Sequence, residues 1–142
     1  MKIASFNING IKARINALPD WLQEAQPDVA LLQEIKSVDE NFPREAIEQA
    51  GYPHIHIHGM KSYNGQAIIS RVPFLSTDIH HRCGKEDCRH IAASFKDFDL
   101  HNLYIPAGGD EPDPVANDKY KHKLDFVEEM TEWFADQYTP DK

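Results

Sequence analysis

The chain has 142 residues, 41% of them hydrophobic and 27% charged, a length that favours one domain. Seven Phe, five Tyr and two Trp argue against disorder and for a real core. With 15 Lys+Arg against 23 Asp+Glu the formal charge is −8, which excludes a protein that holds nucleic acid mainly through overall positive charge, though not one with a local basic or metal-neutralised groove.

The opening Lys2-Ile3-Ala4-Ser5-Phe6-Asn7-Ile8 is short, β-rich and ends in polar residues beside Gly10, so it reads as a buried strand entering a functional loop. Asn7 and Asn9 interrupt any apolar run that a secretory signal would need. Ile15, Leu18, Leu22 and Ala25 recur at helical spacing, and Pro19 suits the first turn of a helix starting near Leu18. Val29-Ala30-Leu31-Leu32 is an apolar run of strand length ending in Gln33-Glu34. A short helix is predicted from Pro43 to Ala50, stopped by Gly51. Strands are predicted over Tyr52–His58, Gln66–Arg71, Phe74–His80, His90–Phe95 and Leu100–Tyr104. An acidic loop with Pro112 and Pro114 follows, then a helix over about Asp118–Tyr138 with Tyr120, Leu124, Val127 and Met130 or Thr131 on one side. This order implies a layered α/β protein with open sheet edges. Two cysteines make a poor disulfide framework, and no stretch is long and apolar enough to span a membrane. The resulting expectation is a single partial domain that is cytoplasmic, with reduced thiols and no membrane partner.

Three polar side chains stand at strand ends: Asn7, Glu34 and Tyr104. Side chains so placed can converge in the crevice beside a sheet. Taken singly, each has an ordinary reading: a turn-forming amide, a carboxylate ending a strand in solvent, and a half-buried strand tyrosine. A carboxylate at that position also suits a hard cation such as Mg²⁺.

The combination is more specific. Phe6-Asn7-Ile8-Asn9-Gly10-Ile11-Lys12-Ala13-Arg14 and Pro27-Asp28-Val29-Ala30-Leu31-Leu32-Gln33-Glu34-Ile35-Lys36 resemble the first two motifs of the exonuclease III / AP endonuclease family, within the endonuclease–exonuclease–phosphatase superfamily. The stretch from His58 to Arg71, then Arg89-His90-Ile91, then Asn102 to Gly109 fit the same family in the same order. The resemblance implies a fold that is half of a four-layer α/β/β/α sandwich. It implies a Mg²⁺-dependent DNA-repair nuclease, with Mn²⁺ as a substitute metal. Such an enzyme cuts double-stranded DNA on the 5′ side of abasic sites and removes nucleotides from 3′ ends.

Carried over by position, Glu34 resembles the Mg²⁺ ligand and Asn7 the amide at the metal and scissile phosphate. Tyr104 is similar to the family's phosphate-binding tyrosine. Asn9, Gln33 and Lys36 would support the metal site, and Arg14, Lys61, Tyr63, Asn64 and Arg89 are implied contacts to the DNA backbone. The family pattern also includes a late Gly-Asp-Phe-Asn motif and an Asp-His pair, and neither occurs among these 142 residues. Ala107 stands where many relatives carry an amide. The chain is therefore expected to correspond to the N-terminal half of such an enzyme, to bind metal weakly alone, and to cover its exposed half-sandwich by dimerisation or swapping.

Two other classes compete. One is a catalytically inactive DNA- or protein-binding module on the same scaffold. The other is a small zinc module using His54-Ile55-His56-Ile57-His58, or His80-His81-Arg82-Cys83 with Cys88-Arg89-His90. Alternate strand residues lie about 6–7 Å apart, near enough for a pair of imidazoles to share one Zn²⁺. The simpler reading is a solvated strand face for the first cluster and an ordinary loop for the second.

Overall fold

The computed structural model describes residues 1–61 and 63–138. Its elements are β1 (Ile3–Asn7), α1 (Ile11–Arg14), α2 (Leu18–Ala25), β2 (Val29–Gln33), a 3-10 turn (Asp39–Asn41), α3 (Arg44–Gln49), β3 (His54–His58), β4 (Gln66–Ser70), β5 (Ser76–Arg82), β6 (Lys85–Ser94), β7 (Asp99–Leu103) and α4 (Asp118–Gln137). The described chain divides into two compact units. The first comprises Met1–His80 and Asp87–Tyr104, the second His81–Glu86 with the residues from Ile105 onward.

The first unit is built on a four-stranded sheet in the order β1-β2-β4-β3. β1 runs parallel to β2, placing Asn7 beside Gln33, while β4 is antiparallel to both β2 and β3. β2 and β4 are buried along their whole length; in β2 this is written as the apolar run Val29 to Leu32, while β4 buries Ala67, Ile68 and Ile69 between the polar residues Gln66 and Ser70. β1 occupies the edge and alternates between exposed and partly covered residues. One face of this sheet packs under the helices: Leu18 and Leu22 of α2 and Ile47 of α3 join Ala30, Leu32, Ala67 and Ile69 in one apolar cluster. The other face meets the second sheet, β5-β6-β7, through Val29, Leu31, Ile68, Ile91, Ala93 and Phe95. Helices over a sheet, and that sheet over another, give the α/β layering expected of the fold class.

The helix boundaries follow local chemistry. Pro19 lies in the first turn of α2, and Gln26 closes that helix in a left-handed conformation, its N–H returning to the Leu22 carbonyl (2.9 Å). Gly51 follows α3 at φ 102°, a backbone that only glycine adopts freely.

The two histidine clusters depart from expectation. His54, His56 and His58 pair in register with Ser70, Ile68 and Gln66, so they share the face that meets the second sheet rather than a solvated one. His56 Nε2 donates to the Asp78 carbonyl at 3.0 Å, and His54 stands edge-on to Phe74. The segment expected as a loop is a β-hairpin. Cys83 and Gly84, at φ 57° and 65°, form the two-residue turn between β5 and β6, and charged Lys85, Glu86 and Asp87 hid the strand that follows. Buried His90 shares a hydrogen bond of 2.9 Å with half-buried His101, and the His80 and His90 ring centres lie 4.5 Å apart. These rings pack across neighbouring strands.

In the second unit α4 is capped by Asn117, whose side chain accepts from the Lys119 N–H (3.1 Å). The expected apolar side of this helix is not its buried one: Leu124 is 43% exposed and Val127 38%, whereas Phe126 is fully buried. Polar and cationic partners set the orientation. Glu129 accepts from the Cys83 N–H (2.8 Å), and the Arg82 guanidinium lies 4.8 Å from the Trp133 ring centre. No helix among the described residues is long and apolar enough to cross a membrane.

Candidate active site

The carboxyl end of the first sheet brings three strand-end side chains together. Asn7 closes β1, Glu34 follows β2 directly, and Tyr104 follows β7. The Tyr104 hydroxyl donates to Glu34 Oε1, and the Asn7 amide helps to favour the charged form of the same carboxyl group. Asn7 Oδ1 accepts from the Asn9 N–H (3.0 Å), which fixes the amide's orientation. Lys36 Nζ donates to Asn9 Oδ1 at 2.6 Å and sits 3.9 Å from Glu34 Oε2. Asn7, Asn9, Glu34, Lys36 and Tyr104 therefore form one cluster.

The backbone under this cluster is strained. Asn9, Glu34, Lys36 and Asn64 all hold φ between 43° and 53°, a region uncommon for residues other than glycine. Backbone pairs hold them there. The Gly10 N–H reaches the Glu34 carbonyl (2.7 Å), the Lys36 N–H reaches the Asn64 carbonyl (2.9 Å) and the Ile35 N–H reaches the Gly65 carbonyl (3.2 Å). Gly65, at φ 88°, has no room for a side chain, because a Cβ there would stand 2.7 Å from Ile35.

The electrostatics divide the two hydrogen-bonded acids. Glu34 titrates below the usual carboxylate range, chiefly because the Tyr104 hydroxyl bonds its charged form; partial burial opposes this, and Asn7, Lys36 and Arg89 reinforce it. Tyr104 is pushed up to about 12, first by burial and then by its bond to the Glu34 carboxylate. Near neutral pH the pair is an anion beside a neutral O–H donor. An ionised carboxylate flanked by neutral polar groups fits a hard divalent cation, which binds through one or two carboxylates completed by water and phosphate oxygens. Among the described residues no group of three or more His, Cys, Asp or Glu side chains is disposed to hold a metal ion. The histidine clusters thus assemble no set of three such ligands among the described residues.

The remaining predicted residues are placed differently. Gln33 lies buried beneath the cluster, where its Nε2 donates to Asn102 Oδ1 (2.8 Å). Arg14 is exposed and lines a hollow with Asn7, Phe6, Leu18 and Trp21. Lys61 and Tyr63 are exposed. Asn64 is only 3% exposed, and its amide donates to the Asp87 carbonyl at 2.7 Å, so its donor is engaged within the protein. Arg89 is 7% exposed and lies against Tyr104.

Sequence reasoning missed the residue that ties the two strand ends together. Asn102, 1% exposed, donates from Nδ2 to the carbonyls of Leu32 and Ala67 (2.9 Å each) and accepts from Gln33, while its own carbonyl accepts from Gln66 Nε2 (2.8 Å). An amide in the short strand Asp99–Leu103, two residues before Tyr104, was the available signal.

Known proteins carry the same plan. The Endonuclease/Exonuclease/phosphatase family model matches residues 4–142, nearly the whole chain. The chain belongs to this family, on its exonuclease III / AP endonuclease branch. It is 48% identical to exodeoxyribonuclease III of Haemophilus influenzae over 71 residues, which are 50% of this chain and 26% of that protein. Recombination repair protein 1 of Drosophila melanogaster is 30% identical over 116 residues, covering 77% of this chain and 16% of the relative. Among solved structures, an AP endonuclease from Archaeoglobus fulgidus superposes with a TM-score of 0.85 at 30% identity, covering 98% of this chain and 52% of that one. The 3′ phosphatase NExo from Neisseria, bound to a product DNA hairpin, gives 0.82 at 29% identity and covers 96% and 52%. The chain thus spans about half the length of these solved relatives and about a quarter or less of the curated ones.

Proposed function

We propose that this chain carries the metal-binding and phosphate-binding groups of a Mg²⁺-dependent DNA-repair nuclease. The nuclease would hydrolyse phosphodiester bonds 5′ to abasic sites and remove nucleotides from 3′ ends of duplex DNA. The observation that carries this reading is the meeting of Glu34, Asn7 and Tyr104 at adjoining strand ends, with Tyr104 bonded to Glu34. The DNA hairpin bound to the Neisseria relative supports duplex DNA as the substrate.

In this reading Glu34, already ionised, would hold Mg²⁺ or Mn²⁺, a group that would supply charge stabilisation for the phosphate oxygens and the leaving 3′ oxygen. Asn7 and Tyr104 supply neutral N–H and O–H donors to the scissile phosphate. Neither has to lose a proton to do so near neutral pH, since Tyr104 titrates at about 12. Lys36 adds a positive charge 3.9 Å from the carboxylate and orients Asn9.

A second outcome is that these 142 residues bind DNA without cutting it. One assay separates the two. Fluorescence anisotropy and gel cleavage would be measured on a duplex bearing one abasic site, with Mg²⁺ and with EDTA. We expect Mg²⁺-dependent binding, weak or undetectable cleavage by the chain alone, and loss of the Mg²⁺ dependence in Glu34→Ala. Binding that is indifferent to Mg²⁺, or an unaltered Glu34→Ala, would refute the metal assignment.

A further inference from the structure

The geometry points to Arg89 as a positioning residue that fixes the Tyr104 phenol over Glu34, with Asp87 as its counter-charge, rather than as a contact to the DNA backbone. The inference rests on the reading of Tyr104 as the phosphate-binding phenol. Arg89 is buried, and its fork of donors is turned inward. Nε donates to Asp87 Oδ2 at 2.7 Å, Nη1 donates to the Tyr104 carbonyl at 3.2 Å, and Nη2 makes a 3.5 Å bond to the Tyr63 hydroxyl. Its guanidinium carbon lies 4.9 Å from the centre of the Tyr104 ring. The main chain adds a link, since the Tyr104 N–H donates to the Arg89 carbonyl at 2.8 Å. Tyr104 is therefore held at its ring, its carbonyl and its amide by one residue.

This grip needs arginine. A planar guanidinium can lie against an aromatic ring while donating from its edge; an ammonium offers a point charge without that fork. A nearly buried cation also needs an anion close by, and Asp87 meets that need two residues away on the same strand. Local backbone is arranged for the pair. Cys88, between them, is buried at φ 54°, an uncommon conformation inside a strand, and the Asn64 amide holds the Asp87 carbonyl at 2.7 Å. Two of the predicted DNA contacts, Asn64 and Arg89, thus face inward and support Tyr104.

A double-mutant cycle tests this on the full chain. Mg²⁺-dependent binding of the abasic duplex would be measured for wild type, Arg89→Gln, Tyr104→Phe and the double variant, each across a salt series. We expect Arg89→Gln to weaken binding several-fold, to add nothing in the Tyr104→Phe background, and to leave the slope of log K against log salt unchanged. Additive effects with a slope reduced by about 1 would mean a direct phosphate contact and overturn the inference. Arg89→Lys serves the same cycle if Arg89→Gln does not fold.

A readout without DNA keeps this separable from the proposed function. Tyr104 ring signals in the NMR spectrum, assigned by their loss in Tyr104→Phe, should shift in both Arg89→Lys and Asp87→Asn while thermal unfolding stays cooperative. Unmoved ring signals would overturn the positioning role. Failure of wild-type chain to bind the duplex would instead count against the functional reading.

Discussion

The hydrogen bond from Tyr104 to Glu34 makes a definite statement about pH. Glu34 titrates low in the fold, so its contribution to stability is present above the ordinary carboxylate pKa and fades as pH falls through the lowered value. Tyr104 titrates high, so its contribution is complete below the ordinary phenol pKa of 10.0 and is lost as pH rises through about 12. Between those limits the carboxylate is charged and the phenol neutral. An ultraviolet titration of tyrosine absorbance should find one phenol, absent from Tyr104→Phe, that ionises well after an ordinary exposed tyrosine. In Glu34→Gln it should ionise earlier, because the neighbouring charge is gone. Coincident titration in the two proteins would show that the bond does not form in solution.

At the level of strands, the site depends on a buried polar knot. Asn102 joins β7 to β2 and β4 through Gln33, Leu32, Ala67 and Gln66, one residue before Glu34 on β2 and two before Tyr104 on the other sheet. Asn102→Leu should destabilise the chain by about 2 kcal/mol or more, because the Gln33 amide would lose a buried partner that water cannot replace. Chemical denaturation checks this, and a change below about 0.5 kcal/mol would mean that the knot has little energetic role. Apart from its place two residues before Tyr104, the residue order did not distinguish Asn102 from an ordinary strand amide, since its partners lie 69 and 70 positions earlier on β2 and 35 and 36 positions earlier on β4. By contrast, β2 was legible because a strand buried on both faces is written as a continuous apolar run, and β4 because its length and the turn residues beside it mark a strand. Glu34, Asn7 and Tyr104 were legible because strand ends can be read from where those runs stop. β6 was read short, because an exposed hairpin carries charged residues that look like a loop. The side of α4 was misread because Arg82 and Cys83, from a distant hairpin, fix the helix through Trp133 and Glu129. Hydrophobic spacing within the helix contains no trace of those partners.

Across the whole chain, apolar surface is left uncovered at Leu75, Ile79, Leu124 and Val127 and on the outer strand at Ile3. Exposed apolar groups and the open outer edge of β1 favour self-association. Light scattering after size exclusion should therefore show a species of about twice the 16.2 kDa chain mass that dissociates on dilution. A single 16.2 kDa species at every concentration would exclude such pairing. The left-handed residues around the cluster carry a different implication. Asn9, Glu34, Lys36 and Asn64 adopt backbone that glycine would accept with less discomfort, yet two of them bear the charges on which the proposed chemistry rests. A search for hardier versions of this protein would be drawn to these positions, and replacing Glu34 or Lys36 there would trade catalytic promise for durability.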